Sequence, residues 1–486
     1  MMPLSFCSVV KSRVMAGVAL LALAAPASAE TLREAMAEAY KTNPTLAAQR
    51  ANVRAIDETV PIARASGLPA VQLQSTYSEN VVVSVSSFTA PSRLTNTQGS
   101  LTYPVYAGGS VKNSIAAANT RVEGGRASLR GTEADLFSSV VGAYMDVIRD
   151  EAIVGFNQQN VRVLDVNLRA SKDRFEVGDL TRTDVAQSDA RLALARSQLQ
   201  SAEARLISSR EAYVRLVGSA PGTLETPPPL PNLPSNPTAA VEIALADNPN
   251  LLAAKKARDA TKYDIRVAKA ARLPRVDAFV QGAYTNFLGT LGGGLIGVTF
   301  PQFDRTSQLG LRLTLPLYQG GGPAAQVRQA EARRSQSIEQ LTEAERGVIA
   351  QVRSAFAVWQ SSLEVIKSAE IAVEANQLAL EGVKAENSVG NRTILEILNA
   401  EQELLNSRVT LVTAQRDAYV AGFALLAAMG HAEAKDLGLE VGPLYDPTVN
   451  FNRVHHKLSD WADGPAATGV STSTASTPPQ TAIIER

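Results

Sequence analysis

Few side chains in this sequence are of a type and spacing suited to chemistry. Its 486 residues include three histidines, His431, His455 and His456, and a single cysteine, Cys7. One cysteine excludes an intramolecular disulfide and a cysteine-cluster metal site, and three histidines leave little for an imidazole base or ligand set. The adjacent His455 and His456 could touch a metal shared with another chain, but a tail dipeptide is the simpler account. Gly292-Gly293-Gly294-Leu295-Ile296-Gly297 satisfies G-x-G-x-x-G in form. A dinucleotide site needs that pattern between a strand and the helix it opens, followed by an acidic residue for the ribose; here it falls in a loop between two strand-like runs. Gly320-Gly321-Gly322 lacks the Lys and Ser/Thr of a phosphate loop and reads as a flexible corner. With no nucleophile–base pair and no metal constellation, no catalytic residue, cofactor or metal is expected.

Two glycine-centred segments carry a better signal. The first runs Arg174-Phe175-Glu176-Val177-Gly178-Asp179-Leu180-Thr181-Arg182-Thr183-Asp184. The second runs Glu386-Asn387-Ser388-Val389-Gly390-Asn391-Arg392-Thr393-Ile394-Leu395-Glu396-Ile397-Leu398-Asn399. Gly178 and Gly390 can supply the positive φ that ends one helix, and Thr181 and Thr393 can cap the next. That role needs no function. It leaves Arg392, Glu396 and Asn399 unexplained, because steps of four and three place them on one helix face. A solvated Arg392–Glu396 salt bridge is the bland account of that face.

The elements that would present these tips follow from a repeat. Asn43-Pro44 and Leu68-Pro69 recur as Asn248-Pro249 and Leu273-Pro274, and Pro104-Val105-Tyr106-Ala107-Gly108-Gly109 recurs as Pro316-Leu317-Tyr318-Gln319-Gly320-Gly321. The first pairs are offset by 205 positions and the later ones by 212, so one seven-residue indel separates two otherwise collinear halves. The organisation expected is a leader at 1–29, a first repeat at 30–218, a proline-rich linker at 219–238, a second repeat at 239–430, a C-terminal segment at 431–450 and a disordered tail at 451–486. Each half opens with a helical stretch, Leu32 to about Ser66 and Val241 to about Arg272, that a Leu-Pro pair stops. Two strand-like runs follow, 70–88 with 94–106 and 275–288 with 307–318. In the last of them Leu309, Leu311, Leu313, Leu315 and Leu317 share one face, while Gln308, Gly310, Arg312 and Thr314 share the other. Such a strand fits a half-buried sheet, or a barrel wall with lipid outside and water inside. Beyond them, proline is absent from 105–220 and from 324–442. Leu129, Leu136, Val140, Ala143 and Val147, with Leu341, Val348, Val352, Ala355 and Trp359, recur at helical steps. A helix of about 65 residues before each tip glycine would approach about 100 Å.

Composition agrees. Forty-seven basic and 47 acidic residues cancel, which leaves no electrostatic footprint for nucleic acid. Hydrophobic residues are 45% and aromatics only 5%, which suits long helices packed by small side chains. Lys11 and Arg13, the apolar run Val14 to Ala25, and Ala27-Ser28-Ala29 read as a signal peptide cleaved to expose Glu30. A retained signal-anchor is the alternative. Cys7 precedes the apolar run and is not a lipid-attachment cysteine. Nowhere later do 18 consecutive apolar residues occur, so a helical span is not expected, whereas a β-barrel gives a weaker signal per strand.

The repeat, Leu32-Arg33-Glu34-Ala35, Asn43-Pro44, the Pro-x-Tyr-x-Gly-Gly corner and the tip Val389-Gly390-Asn391-Arg392-Thr393-Ile394-Leu395-Glu396-Ile397-Leu398-Asn399-Ala400 resemble the TolC family over residues 31–440. These are outer-membrane exit ducts of bacterial efflux pumps and type I secretion systems. The resemblance implies an α+β membrane protein, with long antiparallel coiled-coil helices forming an α-barrel. Four strands from each chain of a homotrimer would form a 12-stranded transmembrane β-barrel, with 431–450 in an equatorial band. It also implies a periplasmic gate at Thr183, Asp184, Asn387, Arg392, Glu396 and Asn399. Adaptor contacts would fall at Val177, Gly178, Thr181, Val389, Gly390 and Thr393. Partners would be a periplasmic membrane-fusion adaptor, an inner-membrane transporter of ABC or RND type and outer-membrane lipid. The best-known family pattern has tyrosine where Asn387 stands and acids at both Glu396 and Asn399, so the constriction here would hold one ring of three carboxylates. The residues alone support a four-strand contribution that other copies must close. They leave eight or twelve strands open, and a periplasmic coiled-coil scaffold stands as the alternative function.

Overall fold

A computed structural model describes residues 30–82, 90–231, 233–292, 300–439, 442–464 and 466–484. The expected leader, the end of the first expected strand from 83 onward, and Gly293 to Gly297 of the glycine loop lie outside the described residues. In chain order the elements are α1 (Leu32–Thr42), α2 (Pro44–Asp57), α3 (Thr59–Ala65), β1 (Ala70–Glu79), β2 (Arg93–Ala107), α4 (Ser110–Glu176), α5 (Arg182–Val217), α6 (Pro237–Asp247), α7 (Pro249–Ala270), β3 (Arg275–Asn286), β4 (Phe303–Thr314), α8 (Gly322–Ser388), α9 (Ile394–Met429) and α10 (Pro447–Val454).

The two halves superimpose in kind at every long element. Helices α4 and α8 have 67 residues each and α5 and α9 have 36 each. At about 1.5 Å per residue the longer pair spans about 100 Å. Each begins after a left-handed glycine, Gly109 at φ 80° or Gly321 at φ 82°, turns at Gly178 or Gly390, and returns to end at Gly218 or Gly430.

The opening stretches are broken helices, not the single helix expected for each half. Asn43 and Asn248 break them because each precedes proline and holds an extended backbone. Both asparagines then act twice. The Asn43 Oδ1 accepts from Thr45 N at 2.9 Å while its Nδ2 donates to the Leu216 carbonyl at 2.9 Å. The Asn248 Oδ1 accepts from Leu251 N at 3.0 Å while its Nδ2 donates to the Ala428 carbonyl at 2.8 Å. One side chain thus caps a helix and ties it to the end of a long hairpin in each half.

The expected stripe on α4 is buried at every position, from Leu129 through Val147, and packs with α1 and α5 around Phe137, Tyr144 and Tyr213. Its counterpart on α8 buries Val348 and Val352 against α6 and α9 and leaves Leu341, Ala355 and Trp359 half-buried, while Phe356, outside the expected stripe, is buried beside them. Leu230 of the proline-rich crossing packs against both clusters. Glu30 pairs with this crossing as well: its N–H donates to Thr223 at 2.7 Å, and Tyr213 Oη donates to its carboxylate at 2.6 Å.

The sheet is an antiparallel meander in the order β1-β2-β3-β4, and among the described residues nothing pairs with the outer side of β1 or β4. Its register separates two faces. One row across the strands is Val71, Leu101, Val280, Leu309. The next row, on the other face, is Gln72, Ser100, Gln281, Gln308. Among the described residues nothing covers the apolar face: Leu309, Leu311 and Leu313 are 81%, 72% and 67% exposed.

Strand limits differ from those expected. β1 stops at Glu79 rather than 88; Asn80 N still donates across to the Ser92 carbonyl at 2.8 Å, and Val81 and Val82 lie outside the strand. β2 is one residue longer at each end than 94–106. β3 stops at Asn286, whose Oδ1 accepts from Leu288 N at 2.9 Å and whose neighbour Leu288 has φ 52°. β4 begins four residues earlier than expected because Phe303 to Thr306 still pair with β3, and it ends at Thr314 because Leu315 precedes Pro316. The tail also departs from the expectation of disorder. α10 crosses the expected boundary at 451, with Asn450 Nδ2 donating to the buried Asp57 at 2.8 Å. Further on, Arg210 donates to the carbonyls of Thr481 and Ile483, and Ala482 and Ile484 pack on the first core cluster. A few apolar and basic anchors hold a segment whose Ser/Thr/Pro composition suggests none.

Candidate functional site at the hairpin tips

At the end of α4, Gly178 N donates to the Phe175 carbonyl at 3.0 Å and Asp179 N to the Arg174 carbonyl at 2.9 Å. The positive φ of Gly178 makes that closure possible, since a side chain there would strain the turn. Thr181 then caps α5 in a reciprocal box with Asp184: Thr181 N donates to Asp184 Oδ2 at 3.0 Å, and Asp184 N donates to Thr181 Oγ1 at 3.3 Å. The Thr181 hydroxyl, then its N–H, hold the Asp184 carboxyl below the usual carboxylate range. Thr183 stands exposed on the same turn.

The second tip repeats the closure, with Gly390 N on the Asn387 carbonyl and Asn391 N on the Glu386 carbonyl, both at 3.0 Å. It adds a charge network that the first lacks. Arg392 Nε donates to Glu386 at 2.6 Å, Arg392 Nη1 donates to Glu396 Oε1 at 2.6 Å, and Thr393 N donates to Glu396 Oε2 at 2.8 Å. Asn387 Nδ2 donates to the Arg392 carbonyl at 2.6 Å. Glu396 sits below the usual carboxylate range, chiefly through the Thr393 N–H and then through Arg392; the guanidinium is raised by Glu386 first and Glu396 second. Both oxygens of Glu396 are therefore engaged.

The expected face separates here. Arg392 and Glu396 meet, but Asn399 turns to the first hairpin, where its Oδ1 accepts from Arg191 Nη2 at 2.8 Å. Beside it, Leu398 is buried among Leu164, Leu168, Leu192 and Ala195 of α4 and α5. This polar and apolar pair joins the two hairpins near their tips. Asp184 does not meet Arg392: among the described residues the ion pairs of Arg392 are with Glu386 and Glu396. Sequence reasoning missed Arg191, whose partner is 208 positions away, and Glu386, which lay within the quoted tip. Val177 and Val389 project at the two turns, 80% and 71% exposed.

A family model described as "Outer membrane efflux protein" matches residues 35–219 and again 240–431. The chain belongs to the outer membrane efflux protein family. Its two matches start 205 positions apart and end 212 apart, the two offsets read from the repeat. Among relatives, the outer membrane efflux protein BepC of Brucella suis is 33% identical over 435 residues, covering 89% of this chain and 92% of that one. The outer membrane protein TolC of Escherichia coli is 29% identical over 313 residues, 62% of each chain. Among solved structures, the outer membrane protein VceC of Vibrio cholerae superimposes with a TM-score of 0.70 at 22% identity, over 82% of this chain and 96% of that one. The fold of this efflux-family chain is thus that of a channel, and its place is the outer membrane of a Gram-negative cell.

Proposed function

We propose that three copies of this chain form an outer-membrane exit duct, the passive conduit of a tripartite efflux pump or a type I secretion system. The sheet is the observation that carries the reading. An apolar face that none of the described residues covers needs lipid, and two open edges cannot remain unpaired in a bilayer, so other copies must close the barrel. Helices of about 100 Å then reach through the periplasm toward an adaptor, for which Val177, Gly178, Thr181, Val389, Gly390 and Thr393 form the contact surface. An inner-membrane transporter of ABC or RND type supplies the energy. Cleavage after Ala29 begins the mature chain at Glu30. A periplasmic scaffold would have no use for the exposed leucines. The test is extraction: the protein should leave membranes only with detergent, as a trimer, and release by salt or shear would refute the duct.

The resting gate comprises Thr183, Asp184, Asn387, Arg392, Glu396 and Asn399, with Arg191 added. Opening swings one hairpin away from the other, which breaks Arg191–Asn399 and withdraws Leu398 from its pocket. An exposed polar tie contributes about 0–1 kcal/mol, so an adaptor that binds the open state more tightly can shift the balance. Arg191→Ala should therefore raise single-channel conductance in planar bilayers without adaptor. Asp184→Ala should change it less, because that carboxylate caps its own helix. Equal conductance in parent and Arg191→Ala, with trimers intact, would make the tie incidental.

A further inference from the structure

We infer that Arg305 is a docking point for the phosphate groups of the glycolipid in the outer leaflet, at the outer rim of the barrel. The inference rests on the duct reading, since it requires the apolar face of the sheet to meet the membrane. In β4, Arg305 lies on the same face as Leu309, Leu311 and Leu313, because side chains alternate and the positions are an even number of residues apart. It lies toward the far end of the strand from the helices, one step beyond Ser307 from the leucine row. A guanidinium there stands just outside the apolar band.

Its surroundings hold it but do not neutralise it. The guanidinium carbon lies 5.6 Å from the Tyr284 ring centre and 5.2 Å from that of Phe303, and the two rings lie 6.3 Å apart. Two aromatic rings at a bilayer boundary form the usual interfacial girdle, and they order the arginine above it. Across the strands Arg305 faces Tyr284, with Gly282 and Asn286 on the diagonals. None of these is acidic. Asp304, its neighbour in sequence, points to the opposite face. The sequence joining β1 to β2 and β3 to β4 supplies nothing either: residues 80–92 and 287–302 contain no charged side chain. Among the described residues Arg305 takes part in no ion pair, whereas Arg275 on the same sheet is paired with Asp277 at 2.9 Å.

An ordered, uncompensated guanidinium beside lipid-facing aromatics selects for an anionic headgroup. Its fork of donors fits two phosphate oxygens together, which a zwitterionic headgroup with its own ammonium offers less well. Arg93 lies on the same face at the same end, but opposite Glu79, so its charge is locally offset and Arg305 is the principal contact. Three copies would place three such points around the rim.

The test uses the full-length protein purified in a neutral detergent, with its thermal transition followed by loss of trimer. Adding diphosphoryl lipid A should raise the midpoint, whereas phosphatidylethanolamine and inorganic phosphate should not. Arg305→Gln should lose most of that rise, and Arg305→Lys should keep a part of it. A parent trimer with no lipid A-specific rise, or a rise unchanged in Arg305→Gln, overturns the inference and leaves the duct intact. A rise reproduced by inorganic phosphate overturns it also. Should Glu79→Gln and Arg305→Gln lower the lipid-free midpoint equally, with no further loss in the double variant, Arg305 pairs with Glu79 of another copy and the lipid assignment falls. Failure of the parent to form detergent-dependent trimers would instead refute the duct.

Discussion

Replacing Leu313 with arginine should prevent the sheet from inserting, so that trimers in the outer-membrane fraction fall sharply while unassembled protein rises. Leu313 faces Val276 across the strands and lies 67% exposed on the apolar face, central among the outward leucines from 309 to 317. A charged side chain on the lipid face near the bilayer midplane costs about 2–4 kcal/mol, and each copy in a closed barrel bears it. Assembly cannot dilute that cost, because no partner side chain reaches the lipid face. Gln308→Arg is the matched control: the same charge on the same strand, one step over, enters the polar face opposite Gln281 and should leave assembly near the parent level. Equal assembly of the two variants would mean that the face assignment is reversed or that the sheet never meets lipid.

The features legible in advance were those that repeat or that a single residue type dictates. Gly109, Gly178 and Gly218 and their partners 212 positions on could be placed because only glycine enters the left-handed region cheaply, and all six sit there. The long helices followed, because a proline-free span between two such glycines has few other options. Strand limits were less legible. Val81 and Val82 look like strand by composition but lie past the end of β1, whereas Asp304 and Arg305 look unlike a membrane strand yet pair fully with β3. Local propensity says little where the polar end of a strand leaves the bilayer. At the tips, spacing correctly paired Arg392 with Glu396, because both lie within a helical turn. It could not direct Asn399, since its choice between Arg392 and Arg191 depends on how two hairpins pack, and Leu398 settles that. Asp184 follows from the family resemblance alone in the sequence; the reciprocal box it forms with Thr181 is equally written in Thr181-x-x-Asp184 and goes unread there.

The repeat also conceals a difference that a pair of substitutions should expose: Gly430→Ala should destabilise the protein far more than Gly218→Ala. Both glycines end a 36-residue helix in the left-handed region, at φ 86° and 96°. Alanine in that conformation costs about 1–2 kcal/mol at either site. The surroundings then diverge. At Gly218 an added Cβ would meet the Thr42 hydroxyl at 3.2 Å, a side chain that can rotate, although it would give up its bond to the Val217 carbonyl. At Gly430 the same atom would lie 2.5 Å from the Asp247 carbonyl oxygen, 2.8 Å from its carbon and 3.1 Å from Asn248 Cα. That is backbone, and it is fixed from both sides. Asn248 caps α7 and is tied by its own amide to the Ala428 carbonyl, while Met429 and Leu425 are fully buried against α6 and α8. Relief requires moving the α6–α7 junction away from the end of α9, which opens the core of the second repeat, and overpacking of this kind adds about 1–3 kcal/mol or more. Thermal transitions of the two variants in detergent, read against the parent, should show a modest fall for Gly218→Ala and a much larger one, or loss of folded protein, for Gly430→Ala. Equal falls would mean that conformational strain alone governs both sites and that the close approach at Asp247 relaxes without cost.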